Sequence, residues 1–152
     1  MTIRPAQPAD APAVMSLVTR ILAAEFPADQ SAYATDDLEK IEESYAGPSS
    51  TFLVAEEDRR IVGSCGVKAE SGQTAILRRL FVDPQCRGRG VGMSLLKQAL
   101  QFCRGRGFRE VVIRTSARME QAIRLCKSLG FLEDGRWTLG SATLLRFRLR
   151  LT

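Results

Sequence analysis

From Arg87 the chain reads RGRGVGMSLLKQALQFC: glycines at 88, 90 and 92 alternate with Arg89 and Val91, and a helical pattern starts directly behind them. Val91, Leu95, Leu96, Leu100 and Phe102 recur near helical spacing, and Gly105 and Gly107 end the run, so the pattern predicts a helix from Gly90 to about Phe102. A helix leaves its first N–H groups without internal partners and gathers partial positive charge there, which suits a phosphate. Glycines at 88, 90 and 92 clear the approach, while Arg87 and Arg89 add charge around it. The expected ligand is a pyrophosphate or a phosphate ester.

The flanking segments set the context of this entrance. TIRPA reads as a short strand, and Val14, Leu17, Val18, Ile21 and Leu22 give the next segment the stripe of an amphipathic helix that Asp10 is expected to cap. SAYATDDLEKIEESYAG predicts a second, acidic helix from about Thr35, stopped by GPSS. Two apolar-rich runs around a charged turn near Glu57–Arg60 predict a hairpin, and TAILRRLFVDP a further strand ending at Pro84. Beyond the glycine helix come a strand in FREVVIRTS, a helix in MEQAIRLCKSLG closed by Gly130, and a hairpin turning at Gly140–Ser141. The order is β-α-α-β-β-β-α-β-α-β-β, a mixed α/β chain. At 152 residues and 45% hydrophobic content, it is expected to form one domain over 1–152.

Composition removes several chemistries. There is no histidine, and Cys65, Cys86, Cys103 and Cys126 show no paired C-x-x-C spacing, so no metal site is expected. Proton transfer must use carboxylates, tyrosine, cysteine, backbone or water. MTIRPAQPAD lacks the apolar run of a secretion signal and no stretch is long enough to cross a bilayer, so the expectation is a soluble, cytoplasmic protein with reduced thiols and no membrane partner. Residues 1–76 carry 6 Lys+Arg against 12 Asp+Glu, whereas residues 77–152 carry 16 against 5, so the second half is suited to meet an anion. A basic nucleic-acid-binding module is one rival reading; its aromatics, such as Phe81, Phe108 and Phe147, fall mostly at core spacing instead of forming a stacking platform.

Three families use a glycine-rich helix entrance. A P-loop needs Gly-Lys-Ser/Thr, and here Met93 follows Gly92; a dinucleotide fold needs its motif after the first strand, and here the motif is mid-chain. RRLFVDPQCRGRGVGMSLL instead resembles the acyl-CoA-binding signature of the GNAT superfamily of N-acetyltransferases, whose R/Q-x-x-G-x-G/A core is met by Arg87, Gly88, Arg89, Gly90, Val91 and Gly92. AIRLCKSLGF, Ala122 to Phe131, is similar to a second segment of that superfamily at the family spacing. The resemblance implies a GNAT-like fold, with a central mixed, mostly antiparallel sheet of six to seven strands flanked by about four helices. It implies transfer of an acetyl or short acyl group from acetyl-CoA to a primary amine, by direct attack on the thioester and without a metal. The acceptor is expected to be a small amino-acid-like molecule, and nucleic acid is not an expected partner; a homodimer through the final hairpin is common for this resemblance.

The same resemblance assigns residues. The backbone of Leu80, Phe81 and Val82 is expected to pair with the pantetheine arm, and residues Arg87 to Gly92 to hold the pyrophosphate. The chain departs from the family where many members carry a tyrosine acid (here Cys126), a glutamate (here Ile76) and an asparagine (here Met119). Cys126 is either a thiol acid or a space filler. These departures also admit a catalytically degenerate, coenzyme A-binding sensor. For the base, the acidic first half offers Glu25, Asp36, Glu42, Glu43, Glu70, Tyr33 and Tyr45, of which Glu25, Glu43 and Tyr45 rank first. Arg79 either holds a substrate carboxylate or pairs with an acid of the second helix. Trp137 is expected in the core or on the wall of the cleft.

Overall fold

The computed structural model describes residues 1–151, apart from the side chains of Ser31 and Ala32. Thr152, the last residue of the expected domain, lies outside the described residues. In chain order the elements are β1 (Thr2–Pro5), α1 (Ala11–Glu25), α2 (Ile41–Ser44), β2 (Thr51–Glu57), β3 (Arg60–Ala69), β4 (Thr74–Val82), α3 (Val91–Gly105), β5 (Glu110–Ser116), α4 (Glu120–Ser128), β6 (Leu132–Leu139) and β7 (Ala142–Arg150). The expected order of strands and helices is the observed one. All seven strands form one sheet in the order β1-β2-β3-β4-β5-β7-β6, and only the central β4–β5 pair is parallel.

Two apolar cores hold the helices to opposite faces of this sheet. On one face Val14, Leu17, Val18 and Ile21 of α1 and Ile41 of α2 pack with Phe52 and Val54. On the other, Leu95, Leu96, Ala99 and Cys103 of α3 and Cys126 of α4 pack with Val67, Val111 and Phe147. Periodicity therefore located α1 and α3, because each owes its stability to one apolar stripe. Asp10 occupies the N-cap position of α1 but makes no cap bond there: it accepts from the Gln7 N–H at 2.7 Å and pairs with Arg4 at 2.8 Å, so it serves the preceding turn, Pro8–Asp10.

The predicted second helix is the main correction. Between α1 and β2 only Ile41–Ser44 is α-helical, with 3₁₀ turns at Pro27–Ala32 and Asp36–Leu38. Tertiary partners claim the groups that a continuous helix needs. Arg79 takes the Ala34 carbonyl, and the Leu38 N–H bonds to Thr35 O at 3.0 Å instead of reaching back a full helical turn.

β4 carries the distortion that matters for function. Its register against β3 shifts between Ser64 and Gly66, and Arg79 has φ +59°, a left-handed conformation costing roughly 1–3 kcal/mol for a residue with a side chain. The buried Ser64 hydroxyl donates to the Arg79 carbonyl at 2.7 Å and holds the bulge. On the other edge, pairing between β4 and β5 stops at Leu77–Ile113, although β4 continues to Val82 and β5 to Ser116. The centre of the sheet is therefore split at the C-terminal ends of its two parallel strands.

Candidate active site

The split in the sheet leads to the glycine loop. β4 ends at Val82, and the carboxylate of the next residue, Asp83, accepts from the Gln85 N–H at 2.9 Å and starts a short turn over Pro84–Cys86. Gly88 and Gly90 then take φ values of +79° and +82°, and Gly90 is the N-cap of α3. The Ser94 N–H bonds to Gly90 O at 2.9 Å, while the N–H groups of the helix's first turn have no carbonyl a turn behind them within the helix. Gly92 is needed for a different reason: a methyl there would meet Leu125 Cδ1 at 2.9 Å and Val82 Cγ2 at 3.4 Å, closing the gap between α3 and α4.

Four hollows with shared bordering residues follow this line. One of about 420 Å³ runs along the glycine loop beneath Gln121, Arg124 and Ser128, which share a face of α4. A second of about 300 Å³ continues between α1, β4 and α4, with Leu80, Phe81 and Val82 along its side. The third, about 620 Å³, lies at the far end beside Lys68, Glu70, Ile76, Arg78, Arg114 and Trp137. Between the second and third sits a throat of about 20 Å³, room for roughly one water, bordered by Tyr33, Leu80, Thr115, Met119 and Ala122. The first two hollows offer an anion-binding helix entrance and an unpaired strand edge, the features that an extended amide chain ending in phosphates requires.

The expected site residues fall into distinct places. Leu80, Phe81, Val82 and the stretch from Arg87 to Gly92 border the two donor-side hollows, except Arg89, which is exposed and makes only long contacts of 3.4 Å with Glu57. The Val91 side chain points into the core, leaving its backbone at the loop. Arg87 is braced by two bonds to Glu25, at 2.5 and 2.9 Å, and by the Val82 carbonyl at 3.2 Å. Glu25 therefore anchors the loop arginine on the border of the second hollow and does not border the third.

Three further candidates lie away from the hollows. Cys126 is fully buried in the core under α4 and borders none of the four hollows, and burial pushes its thiol up to about 12, which fits the space-filling alternative. Glu43 is exposed beside Lys40 at 3.9 Å and borders none of the four hollows. Tyr45 is buried against Phe52, borders none of the four hollows and donates its hydroxyl to Asp37 at 2.6 Å; burial first, and then that bond, raise its pKa.

Arg79 takes the structural alternative. Its guanidinium bonds Asp37 at 2.7 and 3.1 Å and the Ala34 carbonyl, and both charged side chains are almost fully buried. Burial alone would raise the Asp37 pKa, but the bonds from Arg79 and Tyr45 outweigh it and the net shift is downward. Trp137 is 38% exposed and walls the third hollow; it is not a core residue.

Sequence reasoning missed the fastening of the loop after α1. Asp29, 0% exposed, accepts from the Ser116 hydroxyl at 2.8 Å and from Arg118 at 2.7 Å, tying that loop to the end of β5. No local pattern signals this, since the partners lie almost ninety residues away. Arg124 was findable: it shares the face of α4 that carries Gln121 and Ser128.

With this geometry in hand, comparison with known proteins decides the family. The model of the acetyltransferase (GNAT) family matches residues 15–131. The chain belongs to the GNAT family. Among curated relatives, this GNAT chain is 36% identical over 106 residues to N-acetyltransferase 8B of Homo sapiens, covering 66% of the chain and 47% of the relative. It is 33% identical over 111 residues to N-acetyltransferase family 8 member 2 of Rattus norvegicus, covering 70% and 49%. The chain thus spans about half the length of the curated relatives it matches. Solved structures share the fold: yncA of Salmonella typhimurium, determined with its cofactor acetyl-CoA, has a TM-score of 0.82 at 24% identity, covering 100% of this chain and 94% of that one. A GNAT-family acetyltransferase of Staphylococcus aureus Mu50 reaches 0.84 at 21% identity, with 99% of each chain covered. Among the described residues there is no cluster of metal-ligating side chains, and no helix is long and apolar enough to cross a membrane.

Proposed function

We propose that residues 1–152 form one N-acetyltransferase domain that moves an acetyl or other short acyl group from acetyl-CoA to a primary amine of a small, amino-acid-like molecule. The observation that carries this reading is the opening of β4 from β5, continuous with the glycine-turned entrance of α3. An amide-bearing arm pairs with the free edge of Leu80–Val82, and the pyrophosphate takes the backbone donors between Gly88 and Gly92, with Arg87 and Arg124 beside it. The thioester then reaches the throat, and the amine attacks its carbonyl from the third hollow, so positioning supplies much of the rate.

The chemistry of the third hollow favours an acceptor that carries a carboxylate. Lys68, Arg78 and Arg114 face one carboxylate, Glu70, which touches Arg114 at 3.5 Å; the charge of Arg79 is already matched by Asp37. Trp137, Leu139 and Leu144 give the same hollow an apolar side. Glu70, acting through a water, is the assigned base.

A thermal-shift and thiol-release screen with acetyl-CoA tests this reading. Expected are a stabilised protein and thiol release with amino acids, with kcat/KM at least about tenfold lower for the matching decarboxylated amines, the loss of roughly one charge-assisted contact. Stabilisation without thiol release from any amine favours the coenzyme A sensor instead. Cys126→Ala is expected to lower stability by about 1 kcal/mol, measured by denaturant unfolding, while leaving turnover unchanged across pH.

A further inference from the structure

A departing thiolate needs a proton, and few groups at the throat can give one. Cys126 is sealed in the core, the chain has no histidine, and among the side chains around the throat arginine does not release its proton and the Thr115 hydroxyl is too weak an acid. That leaves Tyr33, which borders both the throat and the third hollow.

We propose that the Tyr33 phenol donates the proton that completes departure of the thiol, an inference that rests on the acyltransferase reading above. Its hydrogen bonds suit the role. The Ser116 N–H donates to the phenol oxygen at 2.8 Å, so that bond orients the ring without using the phenol's own proton. The O–H points to Met119 Sδ at 3.5 Å, a weak acceptor that surrenders it at little cost. The Asp29 network fixes the loop that carries Tyr33 to the same end of β5. Burial raises the Tyr33 pKa, which keeps the phenol protonated at neutral pH.

The step balances. A C–N bond forms between the amine and the thioester carbonyl carbon, and the C–S bond breaks with its electron pair left on sulfur. The phenol proton moves to that sulfur, giving the thiol. Glu70 takes, through a water, the proton that the amine nitrogen loses, and water returns that proton to the phenolate, so thioester and amine become amide and thiol with Glu70 and Tyr33 unchanged.

Tyr33→Phe is expected to lower kcat by about a hundredfold, within the usual range for removal of a general acid, with KM for acetyl-CoA changed less than about threefold. A trifluorinated tyrosine at position 33 has a more acidic phenol and should move the alkaline fall of kcat to lower pH, which a purely structural residue would not do. Independently of turnover, fluorine NMR of a singly fluorinated Tyr33 should respond differently to coenzyme A and to desulfo-coenzyme A. Wild-type turnover with an unaffected Tyr33→Phe, an unmoved alkaline limb, or identical NMR responses to the two coenzymes each overturn the inference alone. Failure of the wild-type protein to bind acetyl-CoA overturns the acyltransferase reading and this inference with it.

Discussion

Gly90→Asp is expected to remove acetyl-CoA binding, weakening Kd by about a hundredfold or more. A carboxylate at the N-cap of α3 sets like charge against the pyrophosphate, at a cost of several kcal/mol. It also takes for itself the N–H groups and the dipole end that the ligand would use. The protein should stay folded, because nothing lies within 4 Å of a Cβ built at Gly90 and a carboxylate there favours the helix. Gly90→Asn separates charge from conformation: it meets the same left-handed φ of +82°, which asparagine tolerates, and should lose about tenfold or less. Calorimetric titration of the three proteins reads both effects. Equal losses for Asp and Asn would assign the defect to backbone strain.

The second large effect concerns stability. Asp37→Ala leaves the Arg79 guanidinium, whose side chain is 5% exposed, without its partner. Removing one member of a buried pair costs about 3–5 kcal/mol, which for a chain of this size lowers Tm by on the order of 10 °C. Replacing both, as Asp37→Leu with Arg79→Met, should recover most of the loss, since the pair's desolvation cost vanishes with it. The pH dependence has a fixed sign. Asp37 titrates lower in the folded protein than its ordinary value, so its contribution is complete above about pH 4 and disappears as pH falls through the folded pKa. The stability gap between wild type and Asp37→Asn, followed by urea unfolding, should therefore shrink as pH drops below about 4.

These two sites differ in how readable they are from sequence, and the difference is physical. At Gly88 and Gly90 the constraint is local, because left-handed backbone next to a helix entrance calls for glycine whatever surrounds it. The order of elements was readable for a similar reason, since each strand or helix carries its own apolar period. Arg79 was ambiguous because its meaning depends on a partner forty-two residues away, and that partnership also broke the expected second helix into turns. Cys126 and Glu25 were ambiguous for want of orientation: sequence offered a thiol and a carboxylate without their directions, and packing turned one into the core and the other onto Arg87. Tyr33 stood out only once the sheet had opened, because the throat it borders is made by β4, β5, α4 and a loop distant in sequence.

Amide hydrogen exchange of the wild-type protein, with and without acetyl-CoA, tests the central assignment most directly. The backbone donors of Gly88 to Met93 and the free edge of β4 at Leu80 to Val82 should slow on addition of acetyl-CoA, while the distal β6–β7 hairpin is unchanged. Protection confined to other surfaces, or no change in the glycine loop at saturating acetyl-CoA, would contradict it.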